Sequence, residues 1–228
     1  MKKIINLFKQ LGYVDGFLYS LNTLFQYLSI KKMRTIKYYI YSQPVPHAAL
    51  LPKNRGKDIH IEQVYANDEI TSKFPRPRDV IMNRFNQGAL CFVAYKNNTF
   101  AGFLWLIKNK YVEDEVKCNY FPLPARNSVW DFDVYISPEQ RISFVFIKLW
   151  DYANSYMRAN GITTSMSRIS AFNISSIKSH GRLGAKRIGQ LTFFCLGSLQ
   201  ILFASKAPYI FLTIGNKFIP SLKFHNRT

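Results

Sequence analysis

The sequence is poor in cysteine and poorer still in negative charge. Cys91, Cys118 and Cys195 are its only cysteines, and they stand far apart. An odd, scattered set excludes a disulfide framework and a zinc-type cysteine spacing, so no metal site is expected; it fits reduced thiols in a cytoplasmic compartment. No run reaches the roughly 18 uninterrupted apolar residues that a spanning helix needs. The opening stretch MKKIINLFKQLGYVDGFLYSL is basic, but Lys9, Gln10 and Asp15 interrupt any signal-type apolar core. No internal repeat is visible.

Acidic residues are scarce and unevenly placed. Lys and Arg number 31 against 13 Asp and Glu in 228 residues, a formal net charge of +18. Every acid lies at or before Asp151, and from Tyr152 to Thr228 there are ten Lys or Arg and no acid at all. Residues 1–60 hold ten basic residues against Asp15 and Asp58 alone. A one-signed field of this size seeks an anion: an anionic membrane surface, an acidic protein, a phosphorylated ligand or nucleic acid. No helix-turn-helix, zinc or RNA-binding signature accompanies the charge, which makes nucleic acid the weakest of these readings. Hydrophobic content of 48% and aromatic content of 16% suffice for a packed core.

Three segments are expected. Residues 1–57 read as a basic, amphipathic helical extension and a proline-punctuated linker. Over roughly 1–42, Ile4, Leu7, Phe8 and Leu11, then Phe17, Leu21, Leu24 and Leu28, recur at helical spacing, and Gly12 and Gly16 suggest two helices. This extension either lies on an anionic membrane, peripheral to its inner face, or packs on the core or on the second subunit of a homodimer. Residues 58–205 read as the main domain. Residues 206–228 form a basic, apolar tail with no assigned place. Within the domain, DIHIEQVYA alternates as a strand, and 75–88 reads as a helix stopped at Gly88. ALCFVAYKNNTFAGFLWLIKNKYV reads as a hairpin turning at Asn97-Asn98. SVWDFDVYI (128–136) is a strand with Trp130, Phe132, Val134 and Ile136 on one face and Asp131, Asp133 and Tyr135 on the other. A helix over 139–159, a strand over 163–170, a short helix over 172–184 and two strands broken at Gly197-Ser198 follow. The order β–α–ββ–β–α–β–α–ββ predicts an α/β (α+β) fold, a mixed and mostly antiparallel sheet flanked by helices.

Two local motifs carry chemistry. In SPEQRISFVF, Ser137 and Gln140 have capping-box spacing, Pro138 suits a first helical turn, and Arg141 supplies a fork for an anion. A helix start offers free N–H groups and partial positive charge to a phosphate. The second motif is FNISSIKSHGRLGA, with Asn173, Ser176, His180 and Gly184-Ala185.

This order and these motifs resemble the GNAT superfamily of acyl-CoA-dependent N-acyltransferases over about 58–205, roughly two thirds of the chain. DFDVYISPEQR is similar to the family's central strand and the start of its donor-binding helix. Asn173, Ser176, His180 and Gly184 fall, without a gap, where the family carries Asn, a small residue, Tyr and Gly. The resemblance implies an acyltransferase with no permanently bound cofactor. Acyl-CoA or acyl-phosphopantetheine would be its donor, and an amine of a small molecule, sugar or peptide its acceptor. It also implies that the central strand splays from the strand at 163–170. Donor binding would fall to Arg141, Ile142, Ser143, Phe144, Asn173 and Ser176. His180 would replace the family's Tyr as the acid that protonates the leaving thiolate, with a pKa nearer neutrality. Base candidates are acids beside the sheet: Asp133 by preference, Asp131, and the cluster Glu113, Asp114 and Glu115. Arg168 is expected to bind a substrate carboxylate or to pair with Asp131 or Asp133, and Glu115 to contact the acceptor. The family's Arg-x-x-Gly-x-Gly/Ala is here Arg141 followed by Ile142, Ser143, Phe144, Val145 and Phe146. Bulky side chains narrow a phosphate's approach. Two alternatives follow: a donor presented on an acidic acyl-carrier protein, or a noncatalytic GNAT-like binding module.

Overall fold

A computed structural model describes residues 8–27 and 33–226. In chain order the elements are α1 (Tyr13–Tyr27), β1 (Met33–Pro44), β2 (Ile59–Val64), α2 (Arg78–Asn86), β3 (Leu90–Lys96), β4 (Thr99–Lys108), β5 (Tyr111–Val112), β6 (Asn119–Leu123), β7 (Ser128–Ile136), α3 (Val145–Ala159), β8 (Thr164–Ser170), α4 (Ile174–Arg182), β9 (Lys186–Leu196), β10 (Leu199–Ala204), β11 (Ile210–Ile214) and β12 (Ser221–His225). A nine-stranded sheet runs β11-β10-β9-β1-β8-β7-β4-β3-β2, and a three-stranded sheet runs β12-β6-β5. Within the large sheet, β7 and β8 are parallel and the other neighbours antiparallel.

Both faces of the large sheet are covered over most of its width. On one face, α3 lays Leu149, Trp150, Ala153 and Met157 against Phe92, Leu104 and Val129. These positions recur at helical spacing, and burying each large apolar side chain contributes roughly 1.5–3 kcal/mol. On the other face, Phe103, Trp105, Trp130 and Phe193 meet Phe74, Ile81 and the small sheet's Tyr120 and Phe224. The β3–β4 hairpin turns where expected, with Asn97 and Asn98 both at positive φ (49° and 60°), as a tight primed turn requires.

The largest departure from the sequence reading is β1. A helix was expected as far as residue 42, yet Met33–Pro44 is an inner strand paired with both β8 and β9. Its Thr35, Ile36, Tyr38, Tyr39, Ile40 and Tyr41 are β-branched or aromatic, residues that suit a pleated surface. Because the strand is covered on both faces, it shows no clean polar alternation. The helical expectation holds for α1, while Ile4, Leu7 and Leu28 lie outside the described residues. Gly12, at φ +80°, breaks the chain before α1, whereas Gly16 lies inside the helix under the Phe8 ring. The tail is placed too: β11 extends the large sheet and β12 lies parallel to β6.

A buried ion pair pins α1 to β1. Lys37 Nζ lies 2.5 Å from Asp15 Oδ1, with both side chains under a tenth exposed, and the Tyr39 hydroxyl donates to the same carboxylate. Asn22 Oδ1 also accepts from the Thr35 N–H at 3.1 Å. Removing one partner of such a pair strands the other charge. Lys37→Met should therefore lower unfolding free energy by about 3 kcal/mol. The double variant Lys37→Met/Asp15→Leu should recover most of that loss, read from urea denaturation midpoints.

Candidate active site

Parallel pairing between β7 and β8 runs from Ser128–Thr164 only to Asp131–Ser167. Beyond it, Phe132–Ile136 have no β8 partners, so the two strands part as the resemblance implies. On its other edge β7 carries a bulge against β4: Trp105 opposes Asp133, Leu106 opposes Asp131, and Phe132 is the extra residue. A bulge shifts the alternation by one. Trp130 and Phe132 pack on the small-sheet side, whereas Val134 and Ile136 pack on the α3 side. The single apolar face expected for this strand is thus split, and Asp131 and Asp133 part company.

Two clefts meet at the parting. One, of about 220 Å³, is bordered by Asp131, Val134, Ile169, Asn173, Ser176 and His180. The other, of about 490 Å³, is walled by arginines and acids, Arg168 and Glu115 among them. Arg76, Phe132, Asp133 and Arg168 line both.

Asp131 is 2% exposed, and burial pushes its carboxyl up to about 7, partly offset by the Ser165 and Ser167 hydroxyls. Ser165 Oγ donates to its Oδ2 at 2.6 Å. A carboxyl so placed exchanges a proton near neutral pH. His180, also buried, lies edge-on to Trp150 with ring centroids 5.4 Å apart, and its Nδ1 is 3.1 Å from Gln43 Oε1. Burial lowers its pKa to about 4, below the near-neutral value expected from the sequence. At neutral pH the ring is uncharged, Nδ1–H donates to Gln43, and Nε2 is left as an acceptor.

Asp133 is fully engaged. Arg76 grips it with Nε at 2.8 Å and Nη2 at 2.7 Å, and Arg84 Nη1 adds a third bond at 2.7 Å. Arg84, on α2, also holds Asp114 at 2.6 Å and stacks over the Trp105 and Phe132 rings. Burial opposes the Asp114 charge, but Arg84 overcomes it and holds that carboxyl below its usual range. Arg168 clasps Glu113 rather than either aspartate of β7, with Nη2 2.5 Å from Oε1, and its guanidinium lies 4.5 Å from the Tyr38 ring centre. Burial raises the Glu113 carboxyl even though Arg168 opposes it. Glu115 receives the Tyr38 hydroxyl and no arginine among the described residues. Among the described residues, the Arg34 side chain donates to the Glu115 main-chain oxygen, at 3.2 Å.

The start of α3 differs from its expected form. Helix begins at Val145, after a short 3-10 turn at Pro138–Gln140, and the Ser137 hydroxyl caps nothing. The Ser137 N–H is instead tied to the Ala101 carbonyl at 2.9 Å. Ser143 takes the capping role: its Oγ donates to Gln140 O at 2.7 Å and accepts the Val145 N–H at 3.3 Å. Arg141 is exposed, Ile142 fully so, and Phe144 turns outward beneath the Arg55 guanidinium at 5.9 Å. Phe146 turns inward and meets the Trp150 and His180 rings edge-on. Asn173 caps α4 by accepting the Ser176 N–H at 3.0 Å.

Sequence reasoning missed Arg76, Arg84, Tyr38, Gln43 and Ser165. Arg76 and Arg84 sat in a segment read only as a helix. Tyr38 and Gln43 lay in the segment read as extension and linker.

No family model matches the chain, and no curated protein matches it. Solved structures do resemble it. One is a functionally unknown conserved protein from Staphylococcus epidermidis, 12% identical, with a TM-score of 0.53, covering 76% of this chain and 66% of that chain. A second is a tandem GNAT protein from the clavulanic acid biosynthesis pathway, 10% identical, with a TM-score of 0.49 over 70% of this chain and 53% of its own. A third is Ard1 from Thermoplasma volcanium, 12% identical, with a TM-score of 0.42 over 56% and 82%. The chain spans about two thirds of the first and about half of the second. The first of these likenesses shows the fold alone, a large and mostly antiparallel sheet whose one parallel strand pair parts between flanking helices.

The Asp131 shift fixes the sign of a pH effect. A buried carboxyl whose folded pKa is raised binds its proton more tightly than the unfolded chain does. It therefore costs stability progressively as pH rises from about 4 to about 7, and the cost is full above that. Asp131→Asn should stabilise the protein at pH 8 by roughly 1–4 kcal/mol and by almost nothing at pH 4. Denaturation series at the two pH values measure the difference.

Proposed function

We propose that the protein transfers an acyl group from a phosphopantetheine thioester to an amine. The observation that carries this reading is the parting of β7 from β8. It leaves one edge of β7 unpaired and leads directly to the buried Asp131. Pantetheine amides would bond the unpaired edge of β7, where Asn173 and Ser176 border the cleft, and the turn at Arg141–Phe144 would meet the far end of the donor. The acceptor enters from the arginine-walled cleft. There Glu115, whose carboxylate meets no guanidinium among the described residues, holds an ammonium group, and Arg34 favours an acceptor that also bears negative charge. Arg168 is already committed to Glu113, so its part is to position that wall.

In the reaction the amine nitrogen attacks the thioester carbonyl, and Asp131 takes the amine proton as the C–N bond forms. The C–S bond then breaks, and the thiolate, a stronger base than Asp131, receives the proton back. His180, neutral and tied to Gln43, serves as a hydrogen-bond acceptor beside the donor rather than as the acid. Asp133 positions Arg76.

Exposed Ile142 and Phe144, set among Arg141 and Arg55, stand where a CoA-binding turn would have glycine. An apolar pair ringed by cations suits an acidic acyl-carrier protein better than a free pyrophosphate. Such donors belong to the cytoplasm. The same lost glycines support a second reading, a noncatalytic module.

Purified protein, incubated with acyl-CoA and acyl-carrier donors and a panel of amines, should release free thiol. Turnover should rise with pH along a limb near 7. Asp131→Asn should lower kcat by about 10²–10⁴-fold, and His180→Gln should leave the limb in place. Absence of both turnover and thermal stabilisation by any donor would favour the noncatalytic module.

A further inference from the structure

An antiparallel sheet that faces water on one side normally carries polar residues there. The β9–β11 end of the large sheet does not. Its inner side is ordinary: Leu191, Phe193 and Leu202 face the core shared with the small sheet. Its outer side is apolar in cross-strand pairs: Leu199 with Ile214, Ile201 with Leu212, and Phe203 with Ile210. β9 continues the face with Phe194 and Leu196. Leu196, Leu212 and Ile214 are each about half exposed (51%, 51% and 53%), and Ile210 is 65% exposed. Among the described residues the helical layer ends before this face, since α1 sits on β1 through Lys37 and Tyr39. α1 itself turns Tyr13, Phe17, Leu24 and Tyr27 outward. Contiguous apolar surface of this kind marks an interaction site.

Charge says what fits it. The face belongs to the stretch after Tyr152, which has no acidic residue. Lys186 opens β9, Lys217 follows β11, and exposed Tyr209 and Phe218 stand in the adjoining turns. A second copy would bring another +18 and no carboxylate from the same surface. An anionic bilayer offers an apolar interior, an interface that accepts aromatic rings, and phosphates for the cations. Among the described residues no helix is long and apolar enough to cross a membrane.

We propose that the outer face of β9–β11 docks on an anionic lipid surface. The face is separate from the two clefts, so the inference stands or falls independently of acyl transfer.

Co-sedimentation tests it with vesicles of phosphatidylcholine alone or mixed with phosphatidylglycerol. The protein should pellet with the mixed vesicles and not with the neutral ones, and added salt should weaken the binding. Leu212→Glu/Ile214→Glu, checked for an unchanged circular dichroism spectrum, should weaken partitioning by about tenfold or more. Leu212→Ser serves where the double variant fails to fold, and should weaken binding in the same direction. Binding undiminished in the folded variants would overturn the assignment. So would a wild-type dimer that ignores vesicles and that Leu212→Glu/Ile214→Glu turns into monomer in sedimentation velocity; the face would then join two copies of this chain.

Discussion

Parallel pairing between β7 and β8 lasts four residue pairs and then stops, and the rest of the site is arranged around that stop. Backbone N–H and C=O groups need partners, so an inner strand that loses its neighbour presents a row of groups for a ligand or for water. The bulge at Phe132 comes at the same point and turns Asp131 and Asp133 to opposite sides of the sheet. Asp131 is left at the crotch of the two strands, too buried to ionise as easily as a free carboxyl. α4, capped by Asn173, stands at the side of the opening, and Phe146 of α3 packs on its His180. A longer β7–β8 ladder would close the cleft and cover the residue best suited to move a proton.

The opposite wall is an electrostatic structure of its own. Arg84 and Arg168 are largely buried, yet each is matched by carboxylates, and each guanidinium lies over an aromatic ring. Buried ion pairs gain little stability after desolvation, although breaking one is costly. Their contribution here is geometric. They fix Asp133, Asp114 and Glu113 in place, and they leave Glu115 and Arg34 as the charges least committed to other side chains. The sense of the chemistry follows: the groups able to meet an ammonium or an anion are those without a full set of internal partners.

Much of the domain was legible in the sequence because its signals are local. The strand at 128–136, the Asn97-Asn98 hairpin and the strands on either side of Gly197-Ser198 fall where alternation and turn residues place them. β1 was not legible, because a strand buried on both faces loses its alternation and its flanking lysines look like those of an amphipathic helix. The site was half legible. Motif spacing brought Asn173, Ser176 and His180 to one cleft with Asp131. It could not foresee a one-residue bulge that separates Asp131 from Asp133, nor that Arg76 and Arg84 would claim Asp133 from distant parts of the chain. His180 shows the same limit: its proximity was readable, but its low pKa comes from burial, in a place where Trp150 and Phe146 of α3 meet its ring.

The opening stretch of α3 now has a definite form. Phe146 points inward and Phe144 outward, so neither ring lies between β7 and β8, and the turn before the helix is held by Ser143 rather than Ser137. Whether the gap between the strands receives the donor is best measured by the crystal structure of the protein bound to a nonhydrolysable thioether analogue of an acyl-phosphopantetheine donor. Its pantetheine amides should bond the unpaired edge of β7, with the thioether sulfur beside Asp131 and Phe132. An analogue bound elsewhere, with the β7 edge still open to solvent, would contradict acyl transfer at this site.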